Sequence, residues 1–136
     1  MNGLSIFLWL VTAVLATGQV TKEYAEAQWW ISPKGSPLQF SSTTERYLDL
    51  FNASQETVVS HTLGCAIKTK DGYEISRIFA ARRGEMKPRG AFMDPKSWYQ
   101  ETYLLKCKNP ADKLAVVEVK FANGKMWTLP LANRQK

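Results

Sequence analysis

The sequence predicts an all-β domain, a sandwich of about seven antiparallel strands that follows an N-terminal signal peptide. Three observations carry the fold. Residues 58–69 alternate apolar and polar side chains over a full strand length. Residues 113–129 alternate, turn at Asn123-Gly124 and alternate again, the pattern of a β-hairpin. Between these stretches, Lys70-Asp71-Gly72 turns the chain into another alternating run. At 136 residues, with 45% hydrophobic and 22% charged side chains, the chain supports one core and excludes wholesale disorder.

Leu4–Leu15 is an uninterrupted run with no charge, and the first charged side chain is Lys22. A membrane span needs about 20 apolar residues, so a run of this length fits the apolar segment of a signal peptide. Ala16 and Gly18 permit cleavage before Gln19, which assigns residues 1–18 to the signal; Val14 and Ala16 permit it before Thr17. The start, Met1-Asn2-Gly3, lacks the usual Lys or Arg, and an uncleaved membrane anchor is the alternative. Both point to an exported chain, secreted or periplasmic.

Residues 19–37 read as a lead-in or linker, closed by the Pro- and Gly-punctuated Ile31–Pro37. The Trp29-Trp30 pair within it either stacks on a flat ligand or pins the lead-in to the domain. Neighbouring strand residues face opposite sides, which favours pinning. Residues 38–131 form the predicted β domain. Leu38–Phe40 makes a short edge strand, Arg46–Phe51 alternates, and Asn52–Glu56 is a turn by composition. In Val58–Thr69 the positions Val59, His61, Leu63, Cys65 and Ile67 share the apolar phase. A three-residue loop at Lys70-Asp71-Gly72 would place Ile67 opposite Ile75 and Leu63 opposite Phe79. Arg82–Ser97, with two prolines and two glycines, reads as a long loop, with a short strand at Ala91–Met93. Alternation resumes over Trp98–Lys108. In the last hairpin, a three-residue loop Ala122-Asn123-Gly124 pairs Val119 with Trp127 and Val117 with Leu129, all four on one buried face. It also requires positive φ at Gly124. Residues 132–136 are a polar tail.

The two cysteines, Cys65 and Cys107, suit a disulfide in an exported chain; two buried free thiols are the alternative. Closing a loop of that length contributes about 4 kcal/mol by chain entropy. Zinc wants four ligands, and besides the cysteines the chain offers one histidine, His61, set among apolar neighbours. No metal site, cofactor or catalytic set is predicted. The net charge is +6, and Arg82, Arg83, Lys87, Arg89 and Lys96 against Glu85 and Asp94 place +5 − 2 = +3 of it in one segment. Arg82, Arg83, Lys87 and Arg89 are therefore the predicted anion-binding residues, since guanidinium groups match carboxylate, sulfate and phosphate. The partners implied are anionic polysaccharide, lipid head groups or an acidic protein surface. No aromatic residues interleave with these cations, so nucleic acid is not expected. Asn52-Ala53-Ser54 is a sequon, making Asn52 a glycan acceptor in a glycosylating host.

Asn52-x-Ser54, Leu63-Gly64-Cys65, Cys107, and Val116-Val117-Glu118-Val119-x-Phe121-x-Asn123-Gly124-x-x-Trp127 together resemble a group of small exported bacterial proteins. That resemblance implies an Ig-like or fibronectin-like β-sandwich, and it carries compartment and fold but no activity. Antibody-type domains place a Tyr two residues before the second Cys, where this chain has Leu105, and no Trp lies between Cys65 and Trp98. The expectation is therefore Ig-like in the loose sense, with a jelly-roll or small barrel as the other architecture. The functional expectation is a non-enzymatic binding or envelope-associated module. Its alternatives are a secreted hydrolase with a site assembled from distant residues, and an accessory domain that pairs through a strand edge.

Overall fold

A computed structural model describes residues 25–26, 30–43, 48–88, 95–101 and 107–135. The signal segment 1–18, Trp29, Arg89 and the short strand at 91–93 lie outside the described residues. Those described form an all-β chain of ten strands: β1 (Ala25–Glu26), β2 (Ile31–Ser32), β3 (Leu38–Thr43), β4 (Leu48–Asn52), β5 (Val58–Thr69), β6 (Gly72–Ile78), β7 (Arg82–Met86), β8 (Trp98–Glu101), β9 (Lys113–Phe121) and β10 (Met126–Thr128). They make three antiparallel sheets: β1-β2, β3-β4-β8, and a five-stranded sheet in the order β10-β9-β5-β6 with β7 also on β5.

The long strand β5 organises the large sheet. One edge pairs with β9 along nearly its whole length. The other edge is shared, with β7 on residues 58–61 and β6 on residues 64–69. Arg82–Met86, expected as loop, is therefore a strand. Its backbone groups are satisfied by β5 and its single apolar anchor is the buried Met86, so it shows no hydrophobic alternation for a sequence pattern to register.

The large sheet curls. Beyond β10, Tyr73 N–H donates to Pro130 O (2.9 Å) and Ala132 N–H donates to Tyr73 O (2.8 Å). The segment that leaves the β9 edge thus reaches the outer edge of β6. Pro130 fits there because it is asked only for its carbonyl. Gln135 continues the closure with its side chain: Oε1 accepts from Ile75 N–H and Nε2 donates to Ile75 O. Residues 132–135, part of the segment read as a polar tail, are to this extent built into the sheet. So are residues 30–37, expected as linker: Trp30 bridges Leu114, Ile31 and Ser36 are buried, and Ser32 Oγ accepts from Phe40 N–H.

β5 and β9 bury both faces. Leu63, Leu114, Val116 and Val119 meet Leu38, Phe40 and Leu50 of the three-stranded sheet, with Val58 and Met86. On the opposite face Ala66, Ala115 and Val117 meet Ile31, Tyr73 and Leu129 inside the curl. Burial of each Leu or Val contributes about 1.5–3 kcal/mol. Gly64 lets β6 approach β5 closely: a Cβ there would stand 2.6 Å from Arg77 O and 3.0 Å from Val117 Cγ1.

The last hairpin has the predicted register, Trp127 opposite Val119, and Gly124 has φ +91°. The single buried face does not hold. A bulge at Val117, where the partner step is Thr62↔Glu118 then Leu63↔Val116, reverses the phase. Val119 enters the core between the sheets, Val117 and Leu129 enter the curl, and Trp127 packs against both. The other hairpin differs at its turn. Thr69 pairs with Gly72 and Ile67 with Glu74, not Ile75. A bulge between Cys65 and Ala66 then restores the expected alignment, and Phe79 N–H donates to Leu63 O (2.9 Å). The turn itself is a two-residue loop at Lys70-Asp71, held locally by Thr69 Oγ1–H donating to Gly72 O (3.0 Å).

Candidate functional site

The pleat and the bulges decide which cations meet. Val59 is an extra residue in β5 relative to β9, so Val58 and His61 both turn inward while Ser60 turns to the other face. Ser60 stands opposite Arg83 of β7 on one side and opposite Lys120 of β9 on the other. Three strands thus contribute one row, Arg83–Ser60–Lys120, with the two cationic Cα positions about 10 Å apart across two strand spacings. The row borders a shallow cavity of ≈ 350 Å³ lined by Val59, Ser60, Ala81, Arg83 and Lys120. Both cations are exposed, and neither forms an ion pair among the described residues. Long flexible side chains at that spacing can converge on one anion, with the Ser60 hydroxyl between them as a donor.

The predicted cation cluster is not assembled as a loop. Arg82 stands opposite His61 and Arg83 opposite Ser60, so neighbouring arginines project to opposite faces. Lys87 Nζ pairs with Glu85 at 3.3 Å, and its backbone N–H donates to Lys96 O (2.7 Å). Arg83 alone of the described predicted set joins the row. Sequence reasoning does not single out Ser60 or Lys120; Lys120 carries a weak signal as an outward position of the last hairpin.

Asn52 is not a surface acceptor. It is 0% exposed, and its amide nitrogen donates to the carbonyls of Glu56 (2.9 Å), Met86 (3.0 Å) and Lys87 (3.1 Å). Its Oδ1 accepts from Ser54 N–H (2.9 Å) and Ser54 Oγ–H (2.7 Å). The nitrogen a glycan would need is inside the fold, holding the end of β4 to the end of β7. The sequon composition reflects an Asx turn, in which Asn and Ser bond nearby backbone.

Cys65 and Cys107 form a disulfide with Cα atoms 5.8 Å apart. His61 is buried with its ring edge-on to Tyr99, centroids 4.8 Å apart, a packing position inside the core. Trp30 lies against Phe40 at 5.2 Å and pins the lead-in. Among the described residues no group of three His, Cys, Asp or Glu is placed to hold a metal ion, and no helix is long and apolar enough to cross a membrane. No family model matches the chain, and neither a curated protein nor a solved structure matches it at a significant level.

Proposed function

We propose that the chain is an exported, non-enzymatic, Ig-like β-sandwich module that binds anionic groups on the face of its large sheet. The observation that carries the reading is the Arg83–Ser60–Lys120 row, two exposed cations flanking a hydroxyl beside a shallow cavity. Export is supported by the apolar segment Leu4–Leu15 and by the disulfide, which persists in oxidising compartments. The sandwich reading is supported by the core shared between the three-stranded and five-stranded sheets, and the curl of the larger one is a step toward a barrel. The likeness to small exported bacterial sandwich proteins belongs to the same proposal. Arg83 and Lys120 supply charge-assisted donors to carboxylate, sulfate or phosphate, with the strength and salt sensitivity of exposed ion pairs.

Retention on a sulfated polysaccharide resin tests this. R83S/K120S removes two positive charges, and K34S/K108S removes the same number from exposed positions elsewhere. R83S/K120S is expected to elute at clearly lower salt than the control variant. Equal elution of the two would reduce the effect to net charge and overturn a focused site.

A further inference from the structure

The anion row is the outer end of a longer feature. Inside the curl, the core of Ile31, Ala66, Tyr73 and Ala115 fills one end only. Toward the other end the same face opens into a groove of ≈ 410 Å³, with Ile75, Ile78, Phe79, Val117, Leu129 and Leu131 among its lining residues. A volume of this order is that of a small-ligand site, mostly apolar with a few polar groups. Thr62, Glu118 and Thr128, paired across β5, β9 and β10, form its polar rim. Ser60 and Lys120 lie two residues further along β5 and β9 on that face, about 7 Å on. Ala81, in the link from β6 to β7, lines both the groove and the anion cavity. The groove and the anion cavity therefore adjoin at Ala81, with the polar rim row between the apolar lining and the two exposed cations.

We propose that the ligand is an anionic amphiphile with a single alkyl chain, its chain in the groove and its head group on Arg83 and Lys120. This deepens the anion-binding reading and rests on it. Charge complementarity selects the class. An uncharged or cationic chain would leave the two cations unused, and a small free anion would leave exposed apolar surface at Ile78, which is 62% exposed. Glu118 sharpens the placement. Its carboxylate repels an anion at the rim row and leaves the next row, at Ser60, as the favourable one. Carboxylate and phosphate heads share the required chemistry.

The experiment is titration of the folded, disulfide-bonded protein with decanoate, butyrate, decyl phosphate and decyltrimethylammonium below micelle formation, followed by calorimetry and amide chemical shifts. Decanoate is expected to bind at least about tenfold more tightly than butyrate or decyltrimethylammonium, shifting the amides of Thr62, Ile78 and Leu131. The ratio of decanoate to decyl phosphate separates a fatty-acid from a phosphate-headed source. R83S/K120S should weaken decanoate about tenfold and erase its advantage over decyltrimethylammonium. I78N, a charge-neutral change at an exposed position that does not support the core, should weaken decanoate while leaving retention on the sulfated resin unchanged. Equal binding of butyrate and decanoate, or decanoate binding indifferent to I78N, overturns the amphiphile and leaves anion binding standing. Resin retention indifferent to R83S/K120S overturns both.

Discussion

Asn52 shows how one buried amide can hold two strands that are distant in sequence. It sits at the end of β4, and two of the carbonyls it satisfies, Met86 and Lys87, belong to the end of β7 and the residue after it. The bond to the Met86 carbonyl is buried, with both residues inside the fold, and the bond to Lys87 is partly buried. Removing the amide leaves buried backbone acceptors and the Ser54 donors without this partner, and each such loss costs about 1–3 kcal/mol. N52A is expected to lose about 3 kcal/mol of stability in urea denaturation. The same geometry predicts that protein secreted from a glycosylating host has the intact mass of the unmodified polypeptide, because a glycan on Nδ2 would have to break these bonds. The residue types are legible in the sequence as a turn signal. Their burial is not, because the partner carbonyls of Met86 and Lys87 lie more than thirty residues away.

At the scale of elements, two glycines separate two reasons for having no side chain. Gly124 has φ +91°, and an added Cβ there would have nothing within 4 Å, so G124A meets only backbone strain, about 1 kcal/mol. Gly64 has no positive φ, and its Cβ would press on Arg77 O of the neighbouring strand. Relieving that contact moves β6 away from β5 and loosens the curl, for a cost of about 1–3 kcal/mol. G64A is therefore expected to unfold at lower urea than G124A. It should also accelerate hydrogen exchange at the Tyr73 amide, which donates to Pro130 across the closed edge. Equal midpoints with unchanged exchange would show that the curl does not depend on close approach at Gly64. Asn123-Gly124 announces its hairpin because the turn is solved locally. β7 is silent because its partner is the edge of β5 and only Met86 of its five residues is buried.

For the whole molecule, the disulfide and the two cores converge on β5 and β9. Cys65 lies in β5, and Cys107 precedes β9 and packs against the core between the sheets. The bridge therefore restrains the return of the chain from the three-stranded sheet to the large one. With the cysteines 42 positions apart in the sequence, chain entropy assigns it about 4 kcal/mol. C65A/C107A is expected to lose up to that amount in urea denaturation and, while folded, to keep its elution position on the sulfated resin. The second half follows because the Arg83–Ser60–Lys120 row is set by the pairing of β5 with β7 and β9 at residues 58–61, several positions along β5 from Cys65.

The sequence by itself determined the all-β class, the long strand β5, the register of the last hairpin and the pairing of the two cysteines. Alternation, turn chemistry and cysteine count are local or compositional, and each is settled by a few neighbouring residues. Only the tertiary structure decided the phase of each strand after its bulges, the closure of β6 by the C-terminal segment, and the row formed by Arg83, Ser60 and Lys120. A bulge adds one residue and exchanges the faces beyond it, and its place depends on what the partner strand must bury. The site inherits that dependence, since Ser60 meets Lys120 because Val59 is left over against β9, and meets Arg83 because β7 carries one extra residue between Arg83 and Met86.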